Sequence, residues 1–302
     1  MAVASEHPAC GVPRDAPRAR VRLRDLVELT KPRLTLLVVA TAATGAYVAP
    51  GGAGWARTTT TVAGTALIVG AANALNMVLE RDVDARMART RRRPLPSGRL
   101  SAGAALAFAA ALAALALPLL AQAGALTTAL ALVALALYVG AYTPLKRRSD
   151  LALYVGAVPG AIPPLLGWTS TAGRAGAGGL LLFALLYAWQ LVHFGAIALV
   201  REREYQQAGL VVVSVARGRE AAEHVVRVGA LLTVAASLAL LATGLGRVVY
   251  GATTCLAGAG LLLTALRRRA SPSSSWAWRT FLVSNAYLAV LLAGLALERA
   301  RP

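Results

Sequence analysis

Apolar residues in this chain arrive in long runs broken by short polar stretches, and the runs set the expected elements. Nine of them, at about 23–47, 61–79, 102–122, 125–142, 151–168, 178–199, 223–244, 248–266 and 276–297, approach the roughly 20 residues that a bilayer-spanning helix needs. Lys31 and Pro32 fall inside the first run; proline is best tolerated in a helix's first turn, so a lead-in helix is expected to break there. Pro159, Pro163 and Pro164 interrupt the fifth run, where kinks are expected. The sixth run is expected to continue as a helix into REREYQQAG, and 201–222 is a polar connection. Residues 1–22, rich in Pro, Ala and Arg without an apolar period, read as a disordered basic tail. Residues 23–302 read as one transmembrane domain, an all-α polytopic bundle.

Composition supports this picture. The chain of 302 residues is 57% hydrophobic with mean hydropathy +0.61. Its net charge of +18 does not mark a nucleic-acid surface, because the basic residues sit between apolar runs instead of in one patch. They concentrate in the tail, at 81–99, 146–148, 201–219 and 267–279, which predicts those segments, and the N-terminus, on the cytoplasmic face with the C-terminus outside. Every acidic residue except Glu298 falls on that same side. Cys10 and Cys255 imply no disulfide framework. No short apolar leader of the signal-peptide kind precedes the first run.

The candidate chemistry starts at the end of the second run, in NALNMVLERDVDARMARTRRRPLPSGR. Spacings of three, four and four put Asn73, Asn76, Glu80 and Asp84 on one helical face, with the two carboxylates about 6 Å apart along the axis. A charged carboxylate at the hydrocarbon edge costs up to about 3 kcal/mol, so the pair calls for a cation. Asn76, Glu80 and Asp84 offer the oxygen ligands Mg²⁺ prefers, with substrate phosphates completing the shell. A facing helix must contribute too, and the sixth offers His193, Arg201 and Glu204 at steps of eight and three. Glu204 is the further metal candidate. Lys31, Arg89, Arg93, Lys146 and Arg147 are candidates for binding a diphosphate and stabilising it as it leaves. Local ion pairs and ordinary topology signals are the plainer readings of the same charges. His193 is open between a ligand contact, a group polarising water or substrate, and a histidine satisfied by a neighbouring helix.

These residues carry a resemblance. N-x-x-x-E-R-D-V-D followed by ARMARTRRRPLP is similar to the first Asp-rich motif of the UbiA-type intramembrane prenyltransferases, and within them to the protoheme IX farnesyltransferase (haem O synthase) branch. LTKPRLTLL, YTPLKRRS, GAIPPLLGW and WQLVHFGAIALVREREYQQAG extend the likeness. The last favours the haem branch over the quinone branch, which carries a second Asp-rich motif there. The resemblance implies nine helices, Mg²⁺ as cofactor, and farnesyl diphosphate and haem B as substrates. A hydroxyethylfarnesyl group would be built on a haem vinyl. It also implies a place in a bacterial inner membrane, association with haem A synthase or terminal oxidase assembly, and a position for Tyr142 near the diphosphate. Glu80 and Glu204 stand where that family usually has Asp, and Val192, Gly195 and the run 210–215 also depart from it. A UbiA-type enzyme acting on a quinone precursor or other aromatic ring, an inactive relative, and a transporter or structural membrane subunit are the alternatives.

Overall fold

The computed structural model describes residues 21–52, 54–267 and 274–300, and all regular structure among them is helical. The expected tail lies almost wholly outside these residues. In chain order the helices are α1 (Leu23–Leu29), α2 (Pro32–Val48), α3 (Trp55–Leu79), α4 (Arg81–Arg86), α5 (Ala102–Ala123) and α6 (Ala125–Ala136). A wider π-helical turn, Leu137–Tyr142, leads to the short α7 (Thr143–Leu145). Then come α8 (Ala152–Ala172), α9 (Gly176–Val200), α10 (Glu202–Ala208) and α11 (Val213–Ala216). The last three are α12 (Arg219–Leu241), α13 (Val248–Leu266) and α14 (Ser274–Ala300).

Seven of the described segments are long and apolar enough to cross a membrane: α3, α5, Ala125–Leu145, α9, α12, α13 and α14. The expected first and fifth spans differ from these. Helix α2 is apolar but has only 17 residues, because the break at Lys31 hands the lead-in to α1. Helix α8 carries three prolines. It is nevertheless one continuous helix, packed between α2 and α9. Helix α3 begins six residues before the expected start, with Thr59 and Thr61 bonding back to carbonyls four residues earlier. The expected continuation of the sixth span does not occur: the backbone breaks at Arg201 and α10 starts afresh.

One side of the bundle packs α9 against α12 and α14, with α13 against those two, around Leu182, Leu185, Leu261 and Leu291, all buried. On the other side α3 packs along α5. Between them α2 and α8 meet backbone to backbone, and glycine alone makes this approach possible. A Cβ on Gly45 would stand 2.0 Å from the Pro164 carbonyl oxygen, and one on Gly167 would stand 1.8 Å from that of Ala42. Thr171 bonds the Ala46 carbonyl at 3.0 Å. This seam, with α3, the end of α6 and α9, walls a central cavity.

Candidate active site

The ends of α3 and α6 and the start of α2 bring their polar residues to one mouth of that cavity, whose volume is ≈ 1020 Å³. Deeper in, the wall is mostly apolar, with Leu37, Ile68, Leu135, Ile162 and Leu166 among its residues. A charged entrance above an apolar chamber suits a ligand with an anionic head and a hydrocarbon tail.

At the mouth Glu80 and Asp84 each meet a cation. Helix α3 ends at Leu79, but Glu80 N–H still bonds the Asn76 carbonyl at 2.9 Å and Asp84 N–H bonds that of Glu80 at 2.7 Å. The helical ladder therefore runs through the break and keeps Asn76, Glu80 and Asp84 on one face. Asp84 is 1% exposed and receives both its bonds from Arg93 Nη1, at 3.0 and 2.8 Å. Glu80 pairs with the Lys146 ammonium as a charge contact, while its Oε1 receives no directed hydrogen bond. Lys31 donates to Asn76 Oδ1 at 2.8 Å, and Asn76 Nδ2 donates to Thr143 Oγ1 at 3.1 Å. Asn73 ties the loop that carries Lys31, donating to the Thr30 carbonyl at 3.1 Å.

Lys31 is held in an unusual backbone. Its φ of 48° makes it the one non-glycine in the left-handed region among the described residues, a strain of about 1–3 kcal/mol that such sites retain when the surroundings enforce it. Burial, with Arg93 and Lys146 nearby, pushes its ammonium down to about 7, against the opposing pull of Glu80 and Asp84. An arriving polyanion would favour its charged form. Arg89 also lines the mouth, with no hydrogen bond or ion pair among the described residues.

Tyr142 lies beneath Lys146, whose ammonium is 4.7 Å from the ring centroid, and 5.4 Å from the ring of Tyr138. The ring fits because position 156 has no side chain: a Cβ there would stand 2.4 Å from it. Gly156→Ala is therefore expected to displace Tyr142 and lower kcat/KM about tenfold while the protein stays folded. Steady-state kinetics beside a thermal melt checks this, and unchanged kinetics would remove Tyr142 from the site.

Two expected site residues lie off this wall. Arg147 is exposed and turned outward, bonding Asp82 through both nitrogens and the Leu79 carbonyl, so it braces α3 against α7. Asp82, held by that guanidinium, has its carboxyl below the usual range. Glu204 does not line the cavity either, because the break at Arg201 places it on α10, where Arg201 holds it at 3.0 Å. His193 does line the cavity, deeper than the charged mouth. The lining also includes Tyr138, Gln190 and Tyr205, which spacing did not single out. Gln190 and Tyr205 stood inside quoted motifs, and Tyr138 precedes Tyr142 by one turn. Burial raises the Tyr205 hydroxyl above the usual phenol range, partly countered by Arg89 and Lys146.

Among the described residues no three His, Cys, Asp or Glu side chains form a metal-ready cluster. The donor set at the mouth is two carboxylates and an amide oxygen, and one carboxylate oxygen lacks a directed donor. That fits Mg²⁺ arriving with a phosphate ligand, since this ion commonly takes one or two carboxylates plus substrate oxygens.

The model of the UbiA prenyltransferase family matches residues 37–289. A protein of Anaeromyxobacter dehalogenans (strain 2CP-C) named protoheme IX farnesyltransferase is 49% identical, over 95% of this chain and 97% of its own. Among solved structures, that of a digeranylgeranylglyceryl phosphate synthase superposes with a TM-score of 0.78 at 12% identity, covering 92% of this chain and 98% of its own. A UbiA homologue from Archaeoglobus fulgidus, bound to GPP and Mg²⁺, gives 0.64 at 14% identity, covering 90% and 99%.

Proposed function

This chain belongs to the UbiA prenyltransferase family, and from that premise we propose that it converts haem B to haem O. A farnesyl group passes from farnesyl diphosphate to a haem vinyl group, water adds, and diphosphate leaves. The observation that carries this reading is the 49% identity, over nearly the whole of both chains, to a protein named protoheme IX farnesyltransferase. The cavity is in keeping with it: its apolar chamber suits a prenyl tail and its charged mouth suits a diphosphate.

In this reading Asn76, Glu80 and Asp84 hold Mg²⁺, which supplies charge neutralisation for the departing diphosphate. Lys31, Arg89, Arg93 and Lys146 take the diphosphate oxygens. Before substrate arrives, Arg93 and Lys146 neutralise Asp84 and Glu80, so neither carboxylate stands as an unpaired buried charge. With phosphate and metal bound, Arg93 and Lys146 would each exchange a carboxylate for a phosphate oxygen. Tyr142 lies against Lys146 and sets where that ammonium points. His193 acts deeper in the cavity, on the acceptor side. The protein sits in the bacterial inner membrane with the mouth toward the cytoplasm, and hands its product to haem A synthase or oxidase assembly.

Purified protein given haem B, farnesyl diphosphate and Mg²⁺ is expected to release diphosphate and form haem O, and chelation of the metal to stop both. Prenylation of an aromatic acid with haem left untouched would overturn the assignment.

A further inference from the structure

Below the charged mouth the cavity holds a second polar pair. Gln190 and His193, three residues apart on α9, share a helical face, and both line the cavity. Gln190 is 4% exposed, and its Nε2 donates to the Ala157 carbonyl at 2.9 Å and to that of Leu186 at 3.2 Å. Two carbonyl partners require the nitrogen on that side, which settles the orientation of the amide. Oε1 then lies over Gly160, where a Cβ would come within 2.0 Å of it, and no donor among the described residues bonds to it. His193 Nδ1 is buried without a hydrogen-bond partner. Its ring is fixed between those of Trp189 at 4.7 Å and Phe281 at 4.6 Å, and Trp189 is itself anchored by its bond to the Ser284 carbonyl at 2.7 Å.

Unpaired polar atoms in an apolar wall cost stability unless something pairs with them, and a buried water needs two or more such partners. We infer that Gln190 Oε1 and the His193 imidazole hold the water molecule that adds to the prenylated haem. This inference rests on the haem reading given above. In that reaction the terminal vinyl carbon bonds to C1 of the prenyl group as the C1–O bond breaks, and the diphosphate keeps that electron pair. A cation is left on the vinyl carbon next to the pyrrole. The water oxygen bonds to it, and the proton the water loses goes to the His193 imidazole and then out through the polar mouth. Gln190 accepts the other O–H and points the oxygen lone pair at the cation. Charge balances, and neither oxidant nor reductant is required.

The step gives each variant a distinctive product. Without a held water the cation loses a proton from the neighbouring carbon, and the prenylated haem is lighter by one water. Gln190→Leu and His193→Phe are expected to raise the ratio of this lighter haem to haem O about tenfold or more, the worth of one well-placed hydrogen bond, while diphosphate release continues. Gly160→Ala keeps the amide but displaces Oε1, so it should shift the ratio the same way even if Gln190→Leu fails to fold. His193→Asn, which restores an acceptor, should recover part of the hydrated product. Mass spectrometry of the haems reads the ratio. Variants that turn over slowly but make haem O in the wild-type ratio would overturn the water site and leave both residues structural. A wild-type protein that makes no prenylated haem at all would overturn the haem reading, and this inference with it.

Discussion

Asp84→Asn is expected to lower kcat by about 10³-fold or more while the bundle stays folded. The carboxylate is almost wholly buried and takes both Nη1 bonds of Arg93. Asparagine keeps the shape and one acceptor oxygen but removes the charge on which a metal and a diphosphate cation both depend. A single electrostatic contact in a preorganised site is worth about 10²–10³ in rate, and here one group serves two partners. The stability cost should be smaller than for a fully buried pair, because the Arg93 side chain is 19% exposed and can reach water. Kinetics on protein whose melting temperature has been checked separates the two effects. An Asp84→Asn protein with near-normal turnover would remove the metal role. So would one that loses activity only in step with its fold.

Gly167→Leu should leave no folded protein to assay, and Gly167→Ala should already be markedly destabilised. The Cβ would stand 1.8 Å from the Ala42 carbonyl oxygen and 2.9 Å from the Ala46 nitrogen, both backbone atoms of α2 that no side-chain rotamer can relieve. Overpacking against flexible side chains costs about 1–3 kcal/mol, and separating two helices that are joined on backbone costs more. Gly260→Ala is the control, since nothing stands within 4 Å of that position. Thermal melts in detergent should leave this variant near wild type. Equal melting temperatures for all three proteins would mean that α2 and α8 do not meet as described.

The amino-acid sequence by itself determined the membrane class, most of the spans and the face that carries the acidic residues. Each of these is local: a run of apolar residues is long enough to cross a bilayer or it is not, and helical spacing alone aligns Asn73, Asn76, Glu80 and Asp84. The break at Lys31 and Pro32 was legible for the same reason. Only the tertiary structure decided which cation meets which oxygen. Lys31 and Thr143 reach Asn76 from 45 and 67 residues away along the chain, and no spacing rule predicts that meeting. It also took Arg147 and Glu204 off the cavity wall, through an outward ion pair in one case and a helix break in the other. It put Gln190 and Tyr205 onto that wall instead. Periodicity fixes the angle of a side chain around its own helix, whereas the neighbour that side chain finds is fixed by how close the helices come. In this protein that closeness is set by glycines whose role shows only once a second backbone lies against them.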